Sequence, residues 1–337
     1  MRPSLLQIEE SSPPSPLVGI AKLAAQGESI RQGHLVEYFT LPARSLLSRC
    51  TSARVPFTWT INPYRGCEFA CKYCYARYTH EFMEMRDGAD FERKIYVKQQ
   101  AAWLLRQDLK KVKRGEEIAI GTATDPYQPA EKRFEVTRGI LAELALHHGL
   151  EIGIVTKSNL ILRDVDLLLR VAEHNSLFVN LTITTLNAKL ARVLEPRAPR
   201  PDLRLEAVRE LNSAGVRAGV ICAPVLPGIT DSPSALDALV RATKQAGGKY
   251  IYANPLFLKP CSASVFLPFL EKEFPRLAED YRKRFAERAF VSKAYSKRIS
   301  ELIASLRKKH GFSREFASRS QSTHPTRPET EQMKLFG

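Results

Sequence analysis

Six short apolar runs, separated by longer amphipathic stretches, constrain the fold most strongly. The runs are TWTIN (58–62), EIAIGT (117–122), EIGIVTK (151–157), FVNLTITT (178–185), RAGVICAPV (217–225) and KYIYANPLF (249–257). Runs of this length predict strands, and the stretches between them have helical spacing, with one helix starting near Asp164. Alternating strands and helices predict an α/β fold with a parallel sheet, and six such units favour a partial (β/α)6 barrel. An open doubly wound sheet is the alternative, and in both folds reactive groups gather at the carboxyl ends of the strands.

The two ends of the chain lack this alternation. Residues 1–35 are rich in Ser, Pro and Gln, with LVGIAKLAA (17–25) as a helical candidate, so we expect a partly ordered arm. Near the other end, an apolar stripe predicts a helix that closes the barrel, formed by Ile299, Leu302, Ile303 and Leu306. The predicted division is an N-terminal arm and lead-in over 1–50, a core over 51–260, a C-terminal helical extension with basic helices over 261–311 and a flexible tail over 312–337.

The composition fits a cytosolic enzyme. With 337 residues, of which 44% are hydrophobic and 26% charged, the chain can bury one large core. Its longest apolar stretches are too short to span a membrane, and the N-terminal MRPSLLQIEESSPPSPL lacks the apolar segment of a secretory signal. We therefore expect a cytoplasmic protein without a membrane partner, in a compartment where thiols stay reduced.

The formal net charge of +15 is a regional property. Much of the excess lies after residue 271, in DYRKRFAERAFVSKAYSKRISELIASLRKKHGF. Such a region could face the phosphates of a nucleic acid, because Lys and Arg bind them without sequence preference. It could equally be the basic outer face of a helix that only keeps the protein in solution. The charge alone leaves both interpretations open.

Three of the six cysteines lie together in GCEFACKYCYAR (66–77), with the spacing C-x3-C-x2-C. Three thiolates cannot all pair as disulfides, and they leave one corner of a tetrahedral metal site open. Cys67, Cys71 and Cys74 therefore suggest a cluster that keeps one iron free for a substrate or cofactor. The alternative is a zinc site with His80 as the fourth ligand.

Five sequence blocks, in chain order, carry a family resemblance. They are NPYRGCEFACKYCYAR (62–77), GTATDPYQPAEKR (121–133), TKSNLILRDVDLL (156–168), TITTLNAKLARVLEPRAP (182–199) and APVLPGITD (223–231). Together they resemble the radical S-adenosylmethionine (radical SAM) superfamily, and more narrowly its members related to spore photoproduct lyase, which are often labelled DNA repair photolyase-like. Ordered blocks over about residues 50–260 are far more specific than a single cysteine motif.

The resemblance implies a radical SAM barrel and its chemistry. A [4Fe–4S] cluster on Cys67, Cys71 and Cys74 would leave one iron to chelate SAM. An electron from a reductase or a flavodoxin-type donor would then break a carbon–sulfur bond of SAM, and the 5′-deoxyadenosyl radical would abstract a hydrogen atom from the substrate. The protein's part is to bind, to orient and to exclude water.

Further site residues follow from the resemblance. Tyr73 stands where the superfamily contacts the adenine of SAM. Thr124 and Asp125, with Thr122, stand where it binds the methionine ammonium group. Packing within the loop is the alternative role of Tyr73, and capping or turn formation that of the other three.

The resemblance also assigns residues at the next two strands. Lys157 is expected to pair with the SAM carboxylate, while Thr184 and Thr185 are within reach of the ribose. Each could instead cap a strand or form a turn. Glu195 and Arg197 could form an internal ion pair that supports this wall.

One position departs from spore photoproduct lyase. Tyr73 and Tyr75 match two tyrosines implicated there in radical relay, but Thr122 stands where that enzyme has the cysteine that returns a hydrogen atom. A threonine hydroxyl is a poor hydrogen-atom donor, so we do not carry over that reaction, and Tyr73, Tyr75 and Thr122 remain the catalytic candidates. Of the other thiols, Cys50, Cys222 and Cys261, the second could substitute, although a cysteine in a strand is usually a small buried hydrophobe.

Three classes of function stay open. The first is an enzyme that acts on nucleic acid, in agreement with the resemblance and the basic region. The second is a radical enzyme that acts on a small molecule or a peptide. A non-catalytic metal-binding protein is the third.

The C-terminal residues EQMKLFG (331–337) suggest a partner. Gln332, Leu335 and Phe336 resemble the short peptide by which bacterial repair and replication proteins bind the sliding clamp. In the alternative interpretation these residues fold back onto the barrel as an apolar latch.

Overall fold

Two β-sheets organise the protein. The computed structural model describes residues 17–32, 35–52, 55–85 and 87–313. Its strands are β1 Ser29–Gln32, β2 Glu37–Leu41, β3 Leu47–Arg49, β4 Trp59–Ile61, β5 Tyr64–Arg65, β6 Lys94–Lys98, β7 Glu117–Ile120, β8 Glu151–Thr156, β9 Ser176–Thr182, β10 Ala218–Val225 and β11 Ile251–Pro255. The larger sheet has the order β11-β10-β9-β8-β7-β4-β3, and the smaller has the order β1-β2-β6-β5.

The larger sheet is the predicted partial barrel. From β4 to β11 all neighbouring strands are parallel, and β3 is antiparallel to β4. A doubly wound sheet would reverse its strand order at a switch point, whereas here the spatial order follows the chain order throughout. Each of the six apolar runs overlaps one strand of this sheet, so the predicted α/β barrel is confirmed. Some strands end earlier than predicted, and Thr122, Thr184 and Thr185 therefore lie in the loops beyond β7 and β9.

Helices connect the strands and cover the outside of the barrel. They are α1 Gly19–Ala25, α2 Tyr78–Glu81, α3 Asp90–Arg93, α4 Ala101–Asp108, α5 Glu131–Phe134, α6 Val136–Leu144, α7 Val165–His174, α8 Ala188–Leu194, α9 Pro201–Ser213, α10 Pro233–Gln245, α11 Pro260–Glu273, α12 Pro275–Phe285 and α13 Lys293–Lys309. Their starts follow local chemistry. The side chains of Asn187 and Ser232 accept backbone hydrogen bonds at the N-termini of α8 and α10, and α10 begins with a proline.

The main core lies between the strands and these helices. Ile152 and Ile154 of β8 are fully buried in it, together with Val179 and Leu181 of β9. Because side chains alternate along a strand, the intervening residues, such as Asn180, face the inside of the barrel. The helix side of the sheet is therefore apolar and closed, and the inner face can receive ligands.

The smaller sheet was not predicted. Strand β1 is antiparallel to β2, β2 is parallel to β6, and β5 is antiparallel to β6. Strand β1 has the sequence SIRQ, and all four of its residues are exposed. Because neither face of the strand is buried, the sequence has no alternation of polar and apolar residues that would predict it. Instead of a partly ordered arm alone, the described N-terminal residues include β1 and β2, and β6 lies between β2 and β5. Strand β5 leads directly into the cysteine segment.

The C-terminal helices have two separate roles. Helix α13 packs on the main core through Ile299, Ile303 and Leu306, which confirms the predicted closing helix. Helices α11 and α12 instead share an apolar cluster with the cysteine segment. Within the described ranges, we find no helix with the length and apolar character needed to cross a membrane. Gln332, Leu335 and Phe336 lie outside the described residues, so the clamp peptide stays a prediction.

Candidate active site

The three clustered cysteines lie in a loop that we call the cysteine loop, residues 66–77. It begins at Gly66, whose φ of +82° suits glycine, and a Cβ there would lie 2.7 Å from a backbone oxygen of Lys94. Backbone hydrogen bonds from Cys67 to Phe91 and from Cys74 to Cys71 fix its course. None of the three thiols is in a disulfide. The fold therefore holds the backbone of the loop and keeps the thiols available.

Burial makes the bare thiols of Cys67 and Cys71 weaker acids. Desolvation, and then Asp125 and the two other thiols, hold the pKa of Cys67 well above its ordinary value. Burial also raises the pKa of Cys71 to about 12. A bound metal reverses this, because its positive charge deprotonates a coordinating thiol. A thiol-only donor set in an apolar setting suits iron–sulfur chemistry, so the residues present fit a cluster.

The zinc alternative has little support at this site. In the described parts of the chain, no group of three or more His, Cys, Asp and Glu side chains converges on a position for one metal ion. His80 is buried, with Nε2 3.1 Å from the backbone oxygen of Lys94 and its ring against Phe91. A cluster makes a different demand, because it binds each thiolate through a separate iron.

Glu195 contacts the cysteine loop and the barrel together. With Thr184 and Arg204 it forms what we call the wall of the site. The hydroxyl of Tyr73 donates a hydrogen bond to Glu195, and Oγ1 of Thr184 donates another over 3.0 Å. Its ion-pair partner is Arg204, with Nη2 2.5 Å from Oε2 and both side chains buried. Arg204 and Lys157 outweigh the effect of burial and lower the pKa of Glu195. The carboxylate is thus ionised and ties Tyr73 to the barrel.

The predicted pair of Glu195 with Arg197 is wrong. Arg197 lies two residues away in sequence, but its guanidinium contacts the backbone oxygens of Glu68 and Glu92 at 3.5 and 3.4 Å. Its backbone N–H also donates to the oxygen of Phe69. Arg197 therefore supports the cysteine loop from outside, and Arg204 on α9 supplies the buried countercharge.

Lys157 lies directly after β8 and extends towards the cysteine loop. Its Nζ is 5.8 Å from the centre of the Tyr73 ring. Burial opposes its charge, but Cys71 and Glu195 outweigh burial, so the pKa of Lys157 is raised. The side chain is consequently a cation beside the thiols, where an anionic group of a ligand would be stabilised.

The loop after β7, residues 121–130, uses its polar side chains to hold the cysteine loop. Oγ1 of Thr124 donates to the backbone oxygen of Gly66 over 2.6 Å, and Nε2 of Gln128 donates to the same oxygen over 3.1 Å. Oε1 of Gln128 accepts from the backbone N–H of Glu68. Gln128 was not predicted, although its place in the block GTATDPYQPAEKR was the available signal.

Asp125 links the same loop to β8. Its Oδ1 accepts hydrogen bonds from Thr156 and from the backbone of Tyr127, and its Oδ2 accepts one from the backbone of Lys157. Burial outweighs these bonds and raises the pKa of Asp125. The carboxylate thus fixes the position of Lys157, which is a role that the sequence did not reveal.

Some of the remaining candidate residues contact the cysteine loop, and others have structural roles in turns or in the core. The hydroxyl of Tyr75 donates to the backbone oxygen of Thr122, so the structure brings these two residues together. Oγ1 of Thr185 accepts from the backbone N–H of Asn187, which is the turn-forming alternative. Cys222 is fully buried in the main core, as expected for a small hydrophobe.

The C-terminal helices complete the enclosure. Oγ of Ser262, on α11, donates to the backbone oxygen of Cys74 over 2.8 Å. Phe266 of α11 and Tyr281 of α12 pack in the same apolar cluster as Cys67 and Cys71. The resemblance in sequence ended near residue 260, so it gave no indication of this cover.

A comparison with protein families identifies the superfamily to which this chain belongs. A family model described as the Radical SAM superfamily matches residues 61–239, which include the three thiols and Lys157. The chain belongs to the radical SAM superfamily. Its cofactors are those of the superfamily, a [4Fe–4S] cluster and SAM, as the sequence predicted. Cys67, Cys71 and Cys74 are the residues that would hold the cluster, and Lys157 is a cation beside Cys71 that would meet SAM.

Two curated relatives align with most of this chain. Uncharacterized protein Rv2578c of Mycobacterium tuberculosis is 34% identical over 281 residues, which cover 83% of this chain and 80% of the relative. Uncharacterized protein MJ0683 of Methanocaldococcus jannaschii is 29% identical over 251 residues, which cover 74% and 86%. The likeness therefore reaches beyond the barrel strands in both proteins.

Solved structures resemble the fold. Spore photoproduct lyase complexed with dinucleoside spore photoproduct superposes with a TM-score of 0.61 at 15% identity, over 81% of this chain and 79% of that one. A mutant of the same enzyme with bound AdoMet and dinucleoside spore photoproduct gives 0.60 at 14% identity over the same shares. At such low identity the likeness establishes the barrel architecture alone.

Proposed function

We propose that this protein reductively cleaves SAM and uses the resulting radical on a nucleic acid, as a DNA repair photolyase-like, lyase-type enzyme of the cytoplasm. When bound, the cluster supplies the electron that breaks a carbon–sulfur bond of SAM. The chain's own contribution is the buried loop that holds the thiols, the cation of Lys157 and a wall fixed by Glu195. Because Thr122 replaces the hydrogen-donating cysteine, the reaction differs from that of spore photoproduct lyase.

The observation that carries the nucleic-acid substrate is a row of aromatic rings beside the cysteine loop. We call it the aromatic ladder, and it consists of Tyr75, Tyr78, Phe82, Phe257 and Phe290. Adjacent ring centres lie 6.4 Å apart for Tyr75 and Tyr78, 5.6 Å for Tyr78 and Phe82, 6.1 Å for Tyr75 and Phe257, and 4.4 Å for Phe257 and Phe290. The row begins next to Cys74 in sequence, so it adjoins the site of the cluster.

The ladder has the properties of a stacking platform for bases. Tyr75 and Phe82 are 39% and 38% exposed, which leaves ring surface open to solvent. Nζ of Lys259 lies 3.8 Å from the centre of the Tyr78 ring, so a cation accompanies the aromatic surface. Proteins that bind single-stranded nucleic acids combine stacking on aromatic rings with positive charge along the backbone path. A base on this row would lie beside the radical-generating centre.

The basic C-terminal helices contribute less to the proposal than their charge suggests. Arg298 pairs with Asp231 at 3.1 Å, and Lys309 pairs with Asp237 at 2.8 Å. Arg282 also pairs with Glu271. These contacts neutralise part of the positive charge of the C-terminal helices. They agree with the interpretation of this region as the basic outer face of helices that keep the protein in solution. The aromatic ladder therefore supports the substrate class more directly.

Anaerobic reconstitution tests the proposal. The protein is loaded with iron and sulfide, reduced with dithionite and given SAM, and 5′-deoxyadenosine is measured with single-stranded DNA, duplex DNA, RNA or no addition. We expect turnover that rises with one of these nucleic acids and binding that weakens steeply with salt. SAM cleavage that no nucleic acid changes, together with salt-independent binding, would favour a small-molecule or peptide substrate instead.

A pair of variants tests the ladder itself. Phe82→Ala removes an exposed ring of the ladder, and we expect it to weaken oligonucleotide binding by about 1–3 kcal/mol, the usual contribution of stacking on one base. Trp103→Ala is the matched control, because Trp103 is 56% exposed on α4 and outside the ladder. Equal affinities of the two variants would remove the ladder from the binding site.

A further inference from the structure

A second surface feature is connected to the cysteine loop at Glu68. It is a pocket whose lining includes Arg31, Tyr38, Lys132, Arg133 and Phe134, and we call it the cationic pocket. Its residues come from β1, β2, α5 and the end of the loop 121–130, so it shares no residue with the aromatic ladder. Three cations around two aromatic rings give it a strongly positive rim.

These cations are not neutralised by the described acidic side chains. Arg31, Lys132 and Arg133 are exposed, and none of them is within 4.0 Å of a carboxylate in the described ranges. Close by, Arg163 pairs with Glu131 of α5 at 2.9 Å, so ion pairing is available to this region. The charge of the pocket is thus left for a partner.

The pocket is connected to the cysteine loop through Glu68, the residue that follows Cys67. The hydroxyl of Tyr38 donates to Oε2 of Glu68 over 3.0 Å. Oε1 of Glu68 accepts from the backbone N–H of Ala130 over 2.7 Å, and Ala130 also lines the pocket. Glu68 is buried, with 6% of its surface exposed. The contacts of Tyr38 and Ala130 with Glu68 therefore connect the lining of the pocket to the residue that follows Cys67.

We propose that the cationic pocket is the docking surface of an acidic one-electron donor protein of the flavodoxin or ferredoxin type. This inference rests on the proposed function, because a cluster that cleaves SAM must first be reduced. In the docking step the reduced donor loses one electron and the oxidised cluster gains it, and no bond forms or breaks. The cations attract the acidic donor and orient it over Tyr38 and Glu68.

The shape of the pocket favours such a protein over a nucleic acid strand. A strand needs cations along an extended path and ring faces open to successive bases. Here the three cations surround one pocket, and its two rings, Tyr38 and Phe134, form a single pair and not an extended row. Encounters between redox proteins are weak and use small interfaces, which a pocket of this kind can provide.

The first test measures binding without the cluster. Apo-protein is titrated into a bacterial flavodoxin at low salt, and the flavin fluorescence reports the dissociation constant. The triple variant Arg31→Glu/Lys132→Glu/Arg133→Glu should bind at least about tenfold more weakly, and its affinity should lose most of its dependence on salt. The control is Arg114→Glu/Arg241→Glu/Lys249→Glu, which reverses three exposed charges elsewhere and should change affinity less than about twofold. Equal binding by the two triple variants overturns the proposal.

The second test separates this inference from the proposed function. Reconstituted proteins are reduced either with dithionite or with photoreduced flavodoxin, and 5′-deoxyadenosine is measured. The pocket variant should match the unaltered protein with dithionite and be about tenfold slower with flavodoxin. Equal rates with flavodoxin, or a variant that loses oligonucleotide binding while it keeps flavodoxin binding, would overturn the docking surface. No product from the unaltered protein with dithionite would refute the proposed function itself, and the docking inference with it.

Discussion

Two loops beside the site, the cysteine loop after β5 and residues 121–130 after β7, differ in what their candidate ligand residues do. In the cysteine loop, backbone hydrogen bonds fix the chain, and the thiols of Cys67, Cys71 and Cys74 are left for a ligand. In residues 121–130 the side chains themselves make the structural bonds, as Thr124 and Gln128 do to Gly66. A polar residue at a strand end therefore does not by itself indicate a contact with a ligand. What distinguishes the two loops is whether the side chain already has a partner within the protein.

The largest effect expected from this comparison is at the cysteine loop. Replacing Cys71 by alanine removes one of three cluster ligands, and we expect iron content to fall sharply and SAM cleavage to drop below detection, because one iron of the cluster loses its thiolate. Iron analysis and 5′-deoxyadenosine measurement check this. Cys50→Ala, Cys222→Ala and Cys261→Ala are the controls and should keep the cluster. Full iron and cleavage in the Cys71 variant would exclude this loop as the cluster site.

The second effect concerns the wall that supports the loop. Arg204→Met leaves the buried carboxylate of Glu195 without its countercharge, and losing one partner of a buried pair costs about 3–5 kcal/mol of unfolding free energy. Urea denaturation of the apo-protein measures it. Arg197→Met is the control, because its guanidinium contacts backbone oxygens at 3.4 and 3.5 Å, and such contacts are worth about 1 kcal/mol or less. A larger loss in the control would reverse the assignment of the ion pair.

The third effect is on SAM. If Lys157 meets the carboxylate of SAM, Lys157→Ala removes a charge-assisted hydrogen bond worth about 1.5–3 kcal/mol, which weakens SAM binding at least about tenfold. Equilibrium binding to the reconstituted protein measures this, with iron content unchanged. Lys189→Ala, at an exposed position of α8, serves as the control. Unaltered affinity would show that Lys157 acts on the wall or the substrate.

The smallest effect tests the second loop. Thr124→Val removes a hydrogen bond to Gly66 and an acceptor for Gln128, so we expect a loss of about 1–3 kcal/mol in stability and little change in SAM affinity. Thr122→Val should cost less, because its Oγ1 accepts one long bond of 3.3 Å from Asn62. If Thr124→Val instead weakens SAM binding tenfold at unchanged stability, then the predicted contact with the methionine ammonium group is right and the contrast between the loops disappears.

The barrel could be predicted because its strands are apolar runs that recur with helices between them. The cysteine spacing is equally local and suggested a cluster with one open iron, while the identification of SAM depended on the family resemblance of the five sequence blocks. Strand β1 could not, because its residues are all exposed and no periodicity marks it. The physical signal for a strand at that position comes from pairing with β2, which is a property of the folded chain.

The partners of buried charged side chains also could not be predicted from the sequence. Arg197 is nearer to Glu195 in the chain than Arg204 is, but the first turn of α9 brings Arg204 into the wall. The cover provided by α11 and α12 was missed for the same reason, since Ser262 meets Cys74 across 188 positions of sequence. Contacts of this kind depend on how elements pack, and spacing along the chain does not encode them.

If the cysteine loop holds a cluster with one iron open to SAM, then adding SAM should change the environment of that cluster. Electron paramagnetic resonance of the reconstituted, dithionite-reduced protein, recorded with and without SAM, tests it most directly. We predict a [4Fe–4S]+ signal whose shape changes when SAM is added, because the amino and carboxylate groups of SAM become ligands of the open iron. A signal that SAM leaves unchanged at saturating concentration, or no cluster signal from protein with all three cysteines intact, would contradict the account.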